Sequence, residues 1–179
     1  MTDPGRFEAF VRRHQDMVYA TAVRLLGNPA EAEDVAQTVF LRAFQRFDAI
    51  GESASAAGWL KTVTRNACLN HLSRYRSRWR FFSELGSGQG ADGASFGERL
   101  PATTSPAASY EQADERERLE QALARLPDHQ RVPLVLFHFE ETSYQEIAQL
   151  LGVSVAKVKT DIHRGRAALR QQLTGHASA

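Results

Sequence analysis

The stretch from Ser143 to Leu173, SYQEIAQLLGVSVAKVKTDIHRGRAALRQQL, constrains this chain more than any other, because helix start, stop and restart signals fall in it at fixed spacing. Ser143 followed three residues later by Glu146 is a capping box, in which each side chain satisfies an amide that a new helix leaves orphaned. Tyr144, Ile147, Ala148 and Leu151 then recur at helical spacing. Gly152 stands where that helix must end, since a C-terminal turn wants a residue that tolerates a left-handed backbone. Ser154 caps a second helix.

Turning about 100° per residue, Val155, Val158, Ile162, Gly165 and Leu169 fall within one third of the second helix and are expected to face inward. Ala156, Lys157, Thr160, His163, Arg164 and Ala167 are expected to look outward. A short helix, a glycine turn and a longer helix with a basic, small-residue outer face read as a helix-turn-helix whose second helix enters the major groove of DNA. Ala148 fits the crossing point, where only a small side chain has room. A three-helix module that touches protein instead is the competing reading, and the basic outer face speaks against it.

The 179 residues suffice for one domain or two small ones, and 42% hydrophobic content is enough for packed cores. A net charge of +1 conceals an uneven distribution. Residues 61–80 carry Lys61, Arg65, Arg74, Arg76, Arg78 and Arg80 without an acid, and residues 155–170 carry five basic residues against Asp161. Two basic zones flanking an acidic middle suggest nucleic-acid contact at two places. Cys68 is the single cysteine, which excludes an intramolecular disulfide and suits a reducing compartment. With no apolar targeting region at the N-terminus and no long apolar run, a soluble, cytoplasmic protein without membrane association is expected.

Along the chain, Phe7, Phe10, Val11, His14, Val18, Ala22 and Leu26 form one helical stripe that stops at Gly27. Asn28, Pro29 and Glu31 supply the cap, first-turn proline and acid of a second helix, with Ala32, Val35, Ala36, Val39, Phe40, Ala43, Phe44 and Phe47 as its stripe. Its other side mixes Glu31, Asp34, Gln37 and Arg42 with an exposed-looking Leu41, a face that is either solvated or meets a partner protein. Residues 48–58 read as a loop. A third helix follows from Gly58, with Trp59, Leu60, Val63, Ala67 and Cys68 turned inward and Asn66 and Asn70 sharing a face. Tyr75, Trp79, Phe81 and Phe82 alternate with arginines beyond it; they either stack unpaired bases or pin the helix end to its own domain.

Residues 83–109 lack any periodic apolar face and hold five of the twelve glycines, so they read as a flexible linker. The GSGQG within them lacks the lysine–hydroxyl pair and flanking elements of a phosphate loop. Helical pattern resumes from Tyr110 to Leu126 with Leu119, Ala122, Leu123 and Leu126 apolar. After Pro127 a further helix carries Val132, Leu134, Val135, Leu136, Phe137 and Phe139, with Pro133 as a candidate kink. The expected fold is therefore all-α: an N-terminal helical bundle over 1–82, the linker over 83–109, and a helix-turn-helix domain over 110–179. His14, His71, His129, His138, His163 and His176 show no metal-ligand spacing, and no nucleophile elbow is present, so neither metal, cofactor, small-molecule substrate nor enzymatic chemistry is expected.

The pair EAEDVAQTVFLRAF and WLKTVTRNACLNHLSRYRSR, a spacer, and LPDHQRVPLVLFHFEETSYQEIAQLLGVSVAKVKTDIHRGRAAL together resemble the two-domain extracytoplasmic-function sigma factors of bacterial RNA polymerase. The resemblance implies a subunit that lends core RNA polymerase its specificity for promoter DNA, commonly held in check by an anti-sigma protein. It assigns Asp34, Gln37, Phe40, Leu41 and Arg42 to polymerase docking. It assigns Ile50, Glu52, Ser53, Arg65, Asn66, Asn70 and Arg74 to the −10 element, where a base is flipped out, and Ser154, Lys157, Lys159, Thr160, Arg164 and Arg166 to the −35 duplex. Two positions depart from the family pattern. Thr38 stands where an acid is frequent, and Asp161 where a base is common; Asp161 lies one turn after Lys157, a spacing at which the two can pair. A stand-alone helix-turn-helix regulator is the alternative, but it leaves the N-terminal face and Asn66 without a role and the chain shows no dimerisation heptad.

Overall fold

The computed structural model describes residues 3–75 and 110–175; the expected linker and Trp79, Phe81 and Phe82 lie outside the described residues. Every regular element among the described residues is helical, and they divide into two compact units at Arg74 and Tyr75.

In the N-terminal unit, α1 (Pro4–Leu26) starts at Asp3, whose carboxylate accepts from the Gly5 amide, and ends at Gly27. One residue later Asn28 accepts from the amides of Ala30 and Glu31 and opens α2 (Pro29–Gln45). A single turn, α3 (Phe47–Ile50), leads through residues 51–55 into α4 (Ala56–His71) and a 3-10 turn, Leu72–Tyr75. α1 packs on both α2 and α4, and those two pack on each other. The core is Val18, Ala22, Leu25, Ala32, Val39, Ala43 and Leu60, closed at one end by Phe7, Phe10 and Phe47 in edge-to-face contacts.

Three expectations for this unit need correction. Residues 48–58 are only partly a loop: Asp48–Ile50 complete α3, and Ala56–Gly58 form the first turn of α4 because Ala56 is buried. α4 is rotated from the expected stripe, burying Leu60, Thr64, Cys68 and Leu69 while Trp59, Val63 and Ala67 stay outside the fully buried set. Thr64 can be buried because its hydroxyl donates to the Leu60 carbonyl at 2.7 Å, which leaves no orphan polar group. Phe44, expected on the inward stripe, is 46% exposed.

The C-terminal unit comprises α5 (Tyr110–Arg125), α6 (Asp128–His138), α7 (Tyr144–Leu151) and α8 (Val155–Gly175). α6 continues through Pro133, which is buried together with Val132, Leu134, Val135 and Leu136. Burial of those side chains, about 1.5–3 kcal/mol each, outweighs the roughly 3 kcal/mol that an interior proline costs. Arg131 is buried too, donating to the Leu126 carbonyl just beyond α5 and pairing with Asp128.

α5, α6 and α7 all pack within this unit, α8 touching each of them. The crossing of α6 and α8 is at Gly165, where an added Cβ would meet the Gln130 carbonyl oxygen at 3.4 Å and a Leu134 methyl at 3.5 Å. The capping box forms as expected, with the Ser143 hydroxyl accepting from the Glu146 amide and the Glu146 carboxylate from the Ser143 amide, each at 3.2 Å. Gly152 ends α7 at φ 67°, and the Ser154 hydroxyl accepts from the Lys157 amide at 3.1 Å to start α8. Between α6 and α7, Glu141 adopts φ 51°, the only non-glycine residue with positive φ among the described residues.

These two left-handed positions predict opposite stability changes. Gly152→Ala should lower the stability of the C-terminal unit by about 1–2 kcal/mol, since a Cβ is strained there. Glu141→Gly should raise it by up to about 0.5 kcal/mol, relief of the same strain being partly offset by the glycine's unfolded-state entropy. Urea unfolding of the two variants checks both signs.

Candidate nucleic-acid interface and partner-docking face

The outward face of α8 follows from how Gly165, Val158, Ile162 and Leu169 are buried. Measured from Ala156 at about 100° per residue, His163 and Ala167 lie about 20° to either side, with Arg170 and Lys159 on one flank and Thr160 and Arg164 on the other. Ala156, Lys159, His163, Arg164, Ala167 and Arg170 are exposed, and Ser154 is exposed at the N-terminus. Small alanines at the centre let the helix backbone come close to a surface, and the flanking cations suit phosphates.

Lys157 departs from the expected outward position. Its side chain is 15% exposed and its Nζ donates to the Asp161 Oδ2 at 2.7 Å, while Asp161 is itself buried. Asp161 thus pairs one turn back, as its spacing allows. Burial pushes the Asp161 carboxyl above its ordinary range, and the hydrogen bond from Lys157 opposes that shift. His129 on α6 is pushed down by burial, against an opposing pull from Asp161.

Arg166 is also partly withdrawn, donating from Nε to His138 Nε2 at 3.0 Å, with its guanidinium over the Phe137 ring. Burial first, then the Arg166 charge, push His138 down to about 4, so the imidazole is neutral and can accept that bond. Thr160 turns its hydroxyl to the Ala156 carbonyl at 3.0 Å. His163 joins the candidates only in the structure: periodicity places it outward, and its central position on the exposed face is the signal that could have found it.

In the N-terminal unit, three of the five expected docking residues, Gln37, Phe40 and Leu41, line an open, apolar groove between α1 and α2. Phe7, Val11 and Tyr19 face Gln37, Phe40, Leu41 and Phe44 across it. Leu41 is 66% exposed, whereas Asp34 and Arg42 are exposed polar neighbours on the same helix. Thr38 donates its hydroxyl to the Asp34 carbonyl at 3.0 Å.

The residues expected to read single-stranded DNA divide into two places. Ile50 ends α3 half-buried, and Glu52 and Ser53 follow it, exposed, beside a concavity also lined by Asp3, Arg6, Phe47 and Asp48. Glu52 pairs with Arg6, and the Ser53 hydroxyl meets that of Ser55 at 2.7 Å. Asn66 and Asn70 lie one turn apart on α4, roughly 15–20 Å along the axis from its start, and both are exposed. Arg65 buries its Nε without a hydrogen-bond partner among the described residues. The side chain of Arg74 lies outside the described residues. No group of histidine, cysteine and acidic side chains that could hold a metal ion occurs among the described residues, and no helix among them is long and apolar enough to cross a membrane.

Two families match the chain, one in its N-terminal and one in its C-terminal part. Residues 10–79 match the family described as Sigma-70 region 2, and residues 116–169 match Sigma-70, region 4. The chain is 31% identical over 172 residues to the ECF RNA polymerase sigma factor SigW of Bacillus subtilis, covering 96% of this chain and 90% of that one. It is 32% identical over 170 residues to an RNA polymerase sigma-E factor of Streptomyces coelicolor, covering 93% and 85%. Among solved structures, the sigma factor RpoE of Bartonella quintana, in complex with the anti-sigma factor NepR, matches with a TM-score of 0.50 and 22% identity over 94% of this chain and 96% of that one, a likeness of fold.

His138 makes the stability of the C-terminal unit sensitive to pH. Its folded pKa, about 4, lies below the ordinary 6.5, so between those values the unfolded chain binds the extra proton. Stability is therefore full above about pH 6.5 and falls as pH drops toward 4, by a total on the order of 2–3 kcal/mol once solvent screening at this half-buried ring is allowed for. Melting curves between pH 7.5 and 4.5 should be flatter for His138→Gln, which still offers Arg166 an acceptor.

Proposed function

Since this chain belongs to the extracytoplasmic-function sigma factors of the sigma-70 family, and directs RNA polymerase to promoters, we propose how its surfaces divide that work. The N-terminal unit, residues 1–82, docks on core polymerase through the groove between α1 and α2, with Gln37, Phe40 and Leu41 at its centre and Asp34 and Arg42 on its rim. The observation that carries this assignment is Leu41, a large apolar side chain 66% exposed on a well-folded helix. Its exposure favours a partner over a merely solvated face.

The same unit reads the −10 element at two stations. The concavity beside Ile50, Glu52 and Ser53 accepts an unstacked base, and Arg65, Asn66 and Asn70 on α4, with Arg74 in the turn after it, follow the strand, where an amide can both donate to and accept from a base edge. The unit over 110–179 places α8 in the major groove of the −35 element. Lys159, Arg164 and Arg166 hold phosphates, Ser154 meets the backbone at the helix N-terminus, and Thr160 and His163 face the bases. Lys157 neutralises Asp161 and so keeps an acid from repelling the duplex. The linker over 83–109 is long enough, at about 90 Å extended, to let both units reach their elements.

The protein performs no bond chemistry of its own in this scheme and acts in the cytoplasm. An anti-sigma protein that covers the docking and DNA faces is a further partner, as supported by the fold likeness to a sigma factor bound to one. Transcription from a pool of random promoters by core polymerase plus this protein tests the assignment: enrichment of paired −35 and −10 motifs at fixed spacing is expected, and transcription no higher than core alone would reject it. Leu41→Asp should weaken binding to core polymerase at least ~10-fold with an unchanged melting temperature. His163→Ala should relax preference at one −35 position by roughly 5- to 100-fold and leave the −10 motif as it was.

A further inference from the structure

The basic residues on the two flanks of α8 are held in different ways. On one flank Lys157 is bound to a buried acid. On the other, two cations rest on aromatic rings. Phe137, at the end of α6, and Tyr144, at the start of α7, stack with centroids 4.6 Å apart and planes only 8° from parallel. Lys159 Nζ lies over the Tyr144 ring at 5.7 Å, and the Arg166 guanidinium over the Phe137 ring at 5.7 Å. Lys159 and Arg166 are about two helical turns apart on one side of α8, so both cations follow the same line along the helix.

We propose that the Phe137–Tyr144 stack is a positioning platform that presents Lys159 and Arg166 to one phosphate backbone beside the −35 duplex; this rests on α8 being the −35 reader. The rings offer their electron-rich faces to cations while bringing no anionic group that would compete with a phosphate. A carboxylate at the same place would neutralise the charge, which is what Asp161 does to Lys157. The imidazole of His138, bonded to Arg166 Nε, fixes the plane of the guanidinium and so the direction of its fork. The turn before α7 brings the rings together: the Thr142 amide donates to the Leu136 carbonyl at 3.0 Å, and Glu141 reverses the chain at positive φ. Holding flexible side chains in place before binding spares the entropy of ordering them on the duplex.

The test uses holoenzyme assembled from core polymerase and full-length protein, with promoter affinity measured against salt concentration. The double variant Phe137→Leu/Tyr144→Leu keeps apolar volume but removes the ring faces. It should weaken promoter affinity roughly three- to ten-fold, with a salt slope shallower by about one for each phosphate that is no longer neutralised and the same base preference at every −35 position. Exchanging the rings, Phe137→Tyr/Tyr144→Phe, should restore both affinity and slope. An unchanged slope in the leucine variant, a changed base preference, or failure of the exchanged rings to rescue would each overturn the platform. A wild-type holoenzyme that selects no −35 element would instead overturn the assignment of α8 itself, and the platform with it.

Discussion

The close approach of α6 and α8 at Gly165 decides more of this molecule than any single bond. The Gln130 carbonyl stands 3.4 Å from where a Cβ of residue 165 would be, so α6 and α8 meet in van der Waals contact along the face that carries Gly165. That fixes Val158, Ile162 and Leu169 inward. By the same rotation it fixes His163 and Ala167 outward. A reading surface made of one helix face needs such a constraint, since a turn of about 100° would substitute its neighbours. The aromatic stack, the Lys157–Asp161 pair and the Arg166–His138 bond are all arranged around a helix whose orientation the packing has already set.

The punctuation of the fold is readable from the sequence. The capping box at Ser143 and Glu146, the turn at Gly152 and the restart at Ser154 lie where local chemistry puts them, because each is satisfied within a few residues of chain. Periodicity fails where polar residues find partners in the interior. Thr64 is buried by bonding to its own helix, which turns α4 away from the stripe that Trp59, Val63 and Ala67 suggest. Phe44 goes the other way, since Phe7, Phe10 and Phe47 already close the core and leave it exposed in the groove.

The candidate site shows the same limit. Charge and spacing single out α8 but do not say how each of its cations is held. Lys157 is drawn down by a buried carboxylate, and Arg166 is oriented through its Nε by a neutral histidine 28 residues earlier in the chain. The first pairing is visible as an i, i+4 spacing. The second depends on the fold, and no local pattern announces it. His163, by contrast, carries its signal in its phase alone.

The Lys157–Asp161 pair has a consequence for how such a protein can diversify. His163 sits on the exposed centre of α8 with Thr160 beside it, where substitutions cost little stability. Lys157 and Asp161 are held in a buried pair, and changing either alone strands a charge. With α8 in its proposed role, duplicate copies of a gene for this chain can therefore drift apart in the sequences they read through single substitutions at the centre. The paired flank must change two codons together or stay as it is, so it forms a fixed frame around a replaceable reading surface.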